Sequence, residues 1–590
     1  MQIQMNIAGF RPPNLLLLIA GLLFAFSPVA VAHSEENESQ AELDRLVEKE
    51  AHNYGEHGGS QKLLPPLKIT VHAARPATDV AAQIDAILDR RLEAAKIPAS
   101  PATTDAEFLR RISVDITGVI PTEAKVRGFI ASKDSSKREK LIAELLADPQ
   151  YGQNFAHYWH DLLVKRDLDN NQQIRAQDVF VKWLTRRFNA NRPWNEIVHS
   201  MLTASGDQAL AGETFFILAN SENGQPAANK IVGTSSALFL GNQMMCAECH
   251  VHPNTSAWNQ SDFWGLAAFF GTTKAVRANQ NPKSTTDIAH IVEEPLSKAK
   301  AVTTNASTLA NGSIPIPDPR NEGVFVGAAK AKTLDGPVAQ PKDVSRQTAA
   351  DWFTSSDNPY FARAAVNRVW AQFLGRGFIA PLDDIRPTSV ASHPEALDLL
   401  AEEFVASKFD QKHLIAIICS TRAYQRSSIT LSDNQHDSEL FSHMAMKVLT
   451  PRSLFLSLAI ATSNQVDVPP EQKPLDKRAK EEAGAQTLQF FDAREYDESP
   501  GEFAYGVPQL LNLMNSKLPP ACDAVAQSSM KLGSKEKIIE HLYLAALSRQ
   551  PTPAEMKKMV AFVAKQRNSV KGYSALMWAL LNSAEFVNNH

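Results

Sequence analysis

The sequence predicts a mainly α-helical protein, in which two helical domains are joined by a loop-rich segment with a few short strands. Apolar residues recur at helical spacing from Asp79 onward, as Ile84, Ile87, Leu88 and Leu92 illustrate. Several later segments begin with a capping residue followed by proline, and a stretch rich in Thr, Asn, Ala, Gly and Pro interrupts the helical pattern. Together these observations favour helices over sheet as the dominant structure.

Capping residues followed by proline mark four predicted helix starts, because proline fits the first helical position, where its missing N–H needs no partner. These pairs are Asp148-Pro149, Asn358-Pro359, Thr450-Pro451 and Thr552-Pro553. Two capping boxes are also predicted, one from Ser392 to Glu395 and one from Thr552 to Glu555.

These patterns divide the chain into five parts. We expect a signal peptide at 1–32, a polar tail and linker at 33–77, a helical domain at 78–271, a connecting segment at 272–343 and a second helical domain at 344–590. In the connecting segment, the alternating stretches SIPIPDP and GVFVGAAKA predict short strands within long loops.

The first residues have the layout of a secretory signal peptide. Arg11 precedes an apolar run from Leu15 to Phe26, and small residues that end at Ala32 provide a cleavage site. The run is too short to span a bilayer comfortably, so no retained transmembrane helix is expected. We therefore predict an exported protein of the periplasm, the cell envelope or the extracellular space.

Charge and cysteine content exclude two classes of protein. The chain has 60 basic and 64 acidic side chains and no basic block, which argues against a nucleic-acid partner. Its four cysteines, Cys246, Cys249, Cys419 and Cys522, are too few for a disulfide-stapled scaffold of this length.

The close pair Cys246 and Cys249, followed by His250, is the most informative motif. Two thiols separated by two residues can add to the vinyl groups of haem, and the next histidine can serve as an axial ligand, so the motif predicts one haem c site. The apolar flanks could form a haem crevice or could simply be core. They comprise Leu238, Phe239, Leu240, Met244, Met245, Trp258, Phe263, Trp264, Phe269 and Phe270.

Two other interpretations of the motif remain open. The pair could form a disulfide, since export exposes thiols to oxidants. Alternatively, the cysteines with His250 and His252 could bind a metal such as zinc. His157 or His160, which are three residues apart and so share a helix face, could supply further ligands, although a structural role in a core would also explain them.

Several long stretches resemble a known family. They are FLRRISVDITGVIPT, LLADPQYGQNFAHYWHDLL, CAECHVHP, SDFWGLAAFF, NPYFARAAVNRVWAQFLGRGFIAPLDDIRPTSVASHPEALDLLAEEFVAS, LIAIICSTRAYQRSS, HLYLAALSRQPTPAE and MWALLNSAEFVNNH. They are similar to the planctomycete-type cytochrome-c-like secreted proteins, which carry the domains of unknown function 1549 (PSCyt2) and 1553 (PSD1). The resemblance extends from about Asp79 to His590.

The resemblance implies that Cys246, Cys249 and His250 hold haem c in a redox or haem-associated accessory protein of the cell envelope, with a redox or envelope partner. Relatives typically read Cys-His-Asp-His-Pro-Phe at this motif, whereas this chain has Val251 and Asn254 in place of the acid and the aromatic residue. If the acid orients a ligand or binds a metal, these changes put a metal-centred activity in doubt.

The resemblance also identifies a polar set in the second domain. Such a set could form an anion or carbohydrate-acid pocket, or an ion-paired network that fixes helices, with Trp370 and His393 in the same packed region. Two alternative functions therefore stay open: a non-redox structural or binding module, and an enzyme that acts on extracellular polysaccharide. The set comprises Arg363, Asn367, Arg368, Arg376, Asp383, Asp384 and Arg386.

Overall fold

The computed structural model describes residues 72–163, 171–249, 258–277, 289–296, 312–321, 323–334, 336–386, 389–463 and 518–590. The predicted signal peptide and nearly all of the polar tail lie outside these residues, as do His250 and His252. The fold is mainly α-helical, as the sequence predicts. Among the described residues, none of the helices combines the length and apolar character needed to cross a bilayer.

Within the described residues, nine helices precede residue 240 and a tenth follows the Cys pair. They are α1 (Ala77–Ala95), α2 (Asp105–Thr117), α3 (Glu123–Ala131), α4 (Lys137–Ala147), α5 (Pro149–Leu163), α6 (Asn171–Asn189), α7 (Trp194–Leu202), α8 (Thr214–Ala219), α9 (Ala228–Ser235) and α10 (Gln260–Ala267). A π-helical turn, Ser236–Leu240, and a 3₁₀ turn, Met244–Glu248, lie between α9 and α10.

Ten further helices belong to the second half of the described chain. They are α11 (Arg346–Phe353), α12 (Phe361–Leu374), α13 (Pro394–Ala406), α14 (Gln411–Ser420), α15 (Pro451–Ser463), α16 (Leu518–Ser529), α17 (Lys535–Leu547), α18 (Pro553–Ala564), α19 (Ser569–Leu581) and α20 (Ala584–Val587).

The strands are short and pair antiparallel. Strands β1 (Gly206–Asp207), β5 (Ala289–Glu293) and β4 (Thr273–Arg277) form one sheet in that order. Three two-stranded ribbons accompany it: β2 (Ser221–Glu222) with β3 (Gln225–Pro226), β6 (Ser313–Pro317) with β7 (Phe325–Lys330), and β8 (Lys447–Val448) with β9 (Asn588–Asn589). Strands β6 and β7 are the two stretches whose alternation predicts strands in the connecting segment.

Most of the predicted helix starts are confirmed. Helices α5, α15 and α18 begin at Pro149, Pro451 and Pro553, and the Thr552–Glu555 capping box is present. Helix α12 instead begins two residues after Pro359, because the Asn358 side chain accepts hydrogen bonds from the backbone N–H groups of residues 360 and 361.

The predicted capping box from Ser392 to Glu395 is wrong. Helix α13 begins at Pro394, so its N-cap is His393, and this residue makes no side-chain capping bond. The Ser392 hydroxyl lies instead within 3.0 Å of the His393 ring nitrogen Nδ1.

Two hydrophobic cores organise the described helices. The larger core contains buried residues from Val80 to Met444 and also Leu544 of α17, so it includes helices on both sides of residue 344. The smaller core is formed by α15–α20 together with Leu449 and with Val114, Val119 and Ile120 from the end of α2 and the loop after it. Helix α2 therefore contributes to both cores, and the predicted domain boundary does not coincide with a division between them.

Candidate functional site

The 3₁₀ turn that carries Cys246 follows a glycine in a left-handed conformation. Gly241 has φ +66° and ends the π-helical turn, and a Cβ atom at this position would lie 2.7 Å from Cδ1 of Ile385. A side chain is therefore disfavoured both by the backbone conformation and by the close approach of Ile385. The glycine allows the chain to turn sharply into the Cys motif.

The two cysteines lie within this turn and directly after it. Cys246 is half-buried inside the 3₁₀ turn. Cys249 is the next residue after the turn, and it has α-region dihedral angles and an exposed side chain. Partial desolvation of the thiol, followed by the charge of Glu248, raises the pKa of Cys249 above that of a free cysteine.

The backbone of the turn is fixed to two neighbouring helices. The carbonyl oxygen of Glu248 accepts hydrogen bonds from Nε1 of Trp264 and Nε2 of Gln260, both at 3.0 Å. The Glu248 carboxylate accepts a further bond of 2.9 Å from Nδ2 of Asn229 in α9. These contacts hold the Cys pair in a defined position on the surface formed by α9 and α10.

The apolar flanks of the motif are core residues. Phe239 contacts Trp159, Trp194 and Phe216, with ring centroids 5.6–6.5 Å apart. Of the ten flanking residues, Met245 alone is exposed, at 45%, and its side chain lies against Gly233. Apart from Met245, the described flanking side chains are therefore packed in the core.

The histidines considered as metal ligands fall into two groups. His250 and His252 lie outside the described residues. The rings of His157 and His160 are 6.4 Å apart on α5, and Nδ1 of His160 lies 3.0 Å from the carboxylate of Asp161. Across the described ranges, no group of three His, Cys, Asp or Glu side chains is arranged to hold a metal ion.

Helix α12 carries three members of the predicted polar set, and each has a structural partner. Nε of Arg363 donates to Asp398 at 2.7 Å, and the Asn367 side chain makes two hydrogen bonds with the backbone of residue 379. Nη2 of the buried Arg368 donates to the carbonyl oxygen of Ala237 at 3.3 Å. These contacts fix the helix to its neighbours.

The remaining four members lie in the loop after α12, and they contact different partners. The Arg376 guanidinium lies 4.7 Å from the centre of the Phe441 ring and 3.5 Å from the carboxylate of Asp437. Arg386 donates to Asp384 at 2.5 Å, and Asp383 accepts from Nε2 of Gln243 at 2.9 Å. Arg386 and Asp384 therefore pair with each other, whereas the other five side chains contact partners outside the set.

Trp370 and His393 belong to the packed region that the sequence predicts. The Trp370 ring stacks on Phe378 with centroids 4.4 Å apart, and both Trp370 and His393 contact the Phe441 ring edge-on or tilted. Burial, together with the charge of Arg91, lowers the pKa of His393 to about 4, so this histidine is neutral near pH 7.

The segment that leads into the Cys turn docks on the loop that carries the acidic members of the polar set. The backbone N–H of Ile385 donates to the carbonyl oxygen of Gly241 at 2.7 Å, and Asn242 forms a β-bridge with Asp384. The Gln243–Asp383 hydrogen bond lies beside them. The two regions that the sequence singles out separately are thus in direct contact.

Asn242 is a buried residue of this contact that sequence reasoning misses. Its side chain is fully buried, and neither its amide nitrogen nor its oxygen has a hydrogen-bond partner. An asparagine beside a glycine normally indicates a turn, and nothing in its spacing distinguishes this one from a surface residue.

Two family profiles match the chain. Residues 83–275 match PSCyt2, described as a protein of unknown function (DUF1549), and residues 345–563 match PSD1, described as a protein of unknown function (DUF1553). Neither the curated proteins nor the solved structures give a match. The Cys turn lies within the first matched region, and the polar set lies within the second. The chain therefore belongs to the proteins that carry a PSCyt2 domain followed by a PSD1 domain.

Proposed function

We propose that the chain is an exported haem c protein that acts as a redox or haem-associated accessory of the cell envelope. The observation that carries the proposal is the arrangement of Cys246 and Cys249, one 3₁₀ turn apart on a backbone that Trp264 and Gln260 hold in place. Each thiol would add across one vinyl double bond, with sulfur bonding to one carbon and hydrogen to the next, without net oxidation. His250 would hold the haem iron through an imidazole nitrogen.

The haem would supply one-electron chemistry. The chain's own residues would determine its exposure: Cys249 is exposed, and the neighbouring aromatic side chains are already packed in the core. A haem attached here would therefore keep part of its surface open to a redox partner. Export is part of the same proposal, because haem c is attached in an extracytoplasmic compartment, which agrees with the signal-peptide pattern at 1–32.

A disulfide clip is the second candidate, because the two cysteines are only three residues apart and export exposes thiols to oxidants. The chain would then be a structural or binding module without redox activity. An enzyme that acts on extracellular polysaccharide has less support from the polar set, because Arg363, Arg368, Asp383 and Asp384 contact four different partners.

The visible absorption spectrum distinguishes these proposals. The protein should be produced in a host with the haem c maturation machinery, alongside Cys246→Ser, Cys249→Ser and the control Cys522→Ala. Cys522 is a free cysteine buried in the smaller core, far along the chain from the motif. We expect a Soret band in the parent protein and the control and its loss in both serine variants. A parent protein without visible absorption would contradict the haem proposal and favour the disulfide clip.

A further inference from the structure

A cleft of about 500 Å³ lies between elements from the two matched regions. One wall comes from α2 and α5, and the other from the end of α12, the loop after it and residues 445–453. Asn589, next to the C-terminal residue, completes the lining. This volume is typical of sites for small molecules. Cys246 and Cys249 are not among the lining residues, so the cleft is separate from the proposed haem site.

The charges at the cleft floor largely neutralise one another. Nζ of Lys447 donates to Asp115 at 2.6 Å and to the carbonyl oxygens of Gln372 and Phe373 at 2.9 and 2.8 Å. All three protons of this ammonium group are therefore used, and they bind the last turn of α12. Arg376, which also lines the cleft, lies near Asp437. A cleft with its charges paired in this way suits an uncharged ligand.

Hydrogen-bonding groups without partners surround this floor. Oε1 of Gln372 and Oδ1 of Asn589 are acceptors without a donor, and Nε of Arg376 is a donor without an acceptor. Leaving such groups unpaired in a buried position is unfavourable, so their presence favours a ligand that completes them. Hydroxyl groups are suited to this role because each can both donate and accept.

Apolar groups form the rest of the lining. Pro381, Leu382 and Val448 contribute aliphatic surface, and Tyr158 contributes part of an aromatic ring. A sugar ring presents C–H groups on its faces and hydroxyl groups around its edge, so it matches both parts of the lining. Charged ligands would gain less, because Asp115 and Lys447 already satisfy each other.

We propose that this cleft binds a neutral saccharide, with hydroxyl groups against Gln372, Arg376 and Asn589 and ring faces against Leu382 and Tyr158. Because its walls come from both matched regions, the site requires both to be present in one chain. The proposal goes beyond haem binding and does not depend on it.

Isothermal titration calorimetry tests the proposal with the mature protein and four probes: hexasaccharides of glucose, xylose and mannose, and the charged hexamer of galacturonate. Leu382→Trp should fill the cleft, and Leu431→Trp introduces the same ring at an exposed position outside it. Gln372→Leu removes one unpartnered acceptor with little change in size. Thermal unfolding of each variant verifies that it is folded.

We expect saturable binding of at least one neutral hexasaccharide, weakened at least tenfold by Leu382→Trp, about 3- to 10-fold by Gln372→Leu and unchanged by Leu431→Trp. Binding should persist in Cys246→Ser, which separates this proposal from the haem proposal. Absence of binding to all three neutral probes, binding of galacturonate alone, or affinity unaffected by Leu382→Trp would each overturn it.

Discussion

At the scale of single residues, the Cys turn depends on the backbone as much as on the thiols. Gly241 provides the left-handed conformation that starts the turn, and Ile385 of the second matched region packs directly over it. Trp264 and Gln260 then fix the carbonyl group of Glu248, just before Cys249. The position of the cysteines is therefore determined by residues outside the motif.

Replacement of Gly241 by alanine should destabilise the protein more than the same change at another left-handed glycine. In Gly241→Ala, the left-handed backbone costs about 1 kcal/mol and the contact with Ile385 adds to it, for a total of about 2–4 kcal/mol. Gly224 also has positive φ, but a Cβ there meets no atom within 4 Å, so Gly224→Ala should cost about 1 kcal/mol. Urea unfolding measures the free energy of unfolding of both variants. Equal losses of stability would refute the role of the Ile385 contact.

At the scale of elements, local sequence signals decide where many helices begin. Thr552 caps α18 by accepting from the backbone N–H of Glu555, whose carboxylate reaches back to Thr552. Arg549 joins this carboxylate to Glu585 in the first turn of α20, so the cap also links two helix starts. Ser392 also precedes an acidic residue, Glu395, by three positions. It nevertheless lies one residue before the N-cap of α13, which is His393, so it does not cap the helix.

Thr552→Ala should therefore reduce the free energy of unfolding by about 1 kcal/mol, because it leaves a backbone N–H of α18 unpaired. Ser392→Ala is the matched comparison, since it removes a hydroxyl group two residues before a helix that begins with proline but removes no cap. We expect it to lose less than half as much stability in chemical denaturation. A larger loss in Ser392→Ala would show that capping is not the reason.

At the scale of the whole molecule, helices α2 and α17 contribute buried residues to both cores, and α2 also carries the acidic partner of the Asp115–Lys447 ion pair. Val114 packs in the smaller core while Ile112 and Ile116 pack in the larger one. Asp115, between them in sequence, binds Lys447, Tyr424 and Asn589 at 2.6–2.8 Å. This cluster ties the end of the chain to the first matched region and forms the floor of the cleft.

Lys447→Met should destabilise the protein by about 3–5 kcal/mol, because it leaves the Asp115 carboxylate buried without its cation. The double variant Asp115→Leu/Lys447→Met removes both charges and should lose less stability than the single variant. A double-mutant cycle from urea unfolding gives this comparison. If the double variant is the less stable of the two, the cost does not arise from an uncompensated charge.

Much of the secondary structure could be predicted because it depends on neighbouring residues. Thr552 with Glu555 is a local pattern, and it correctly predicts the start of α18. The alternation in SIPIPDP is also local, and it correctly predicts strand β6. Gln243 and Asp383, which form a hydrogen bond, are 140 residues apart in the sequence, so no local pattern predicts their contact. For the same reason, the cleft could not be anticipated: Asp115, Gln372, Lys447 and Asn589 are brought together only by packing of the helices.

The central claim is covalent haem attachment at Cys246 and Cys249, and the intact mass of the denatured mature protein tests it most directly. After production with the haem c maturation machinery, we predict a mass equal to that of the chain from His33 plus one haem, and the chain mass alone for Cys246→Ser/Cys249→Ser. A parent mass two hydrogens below that of the fully reduced chain, with no added haem, would contradict the claim and identify a disulfide.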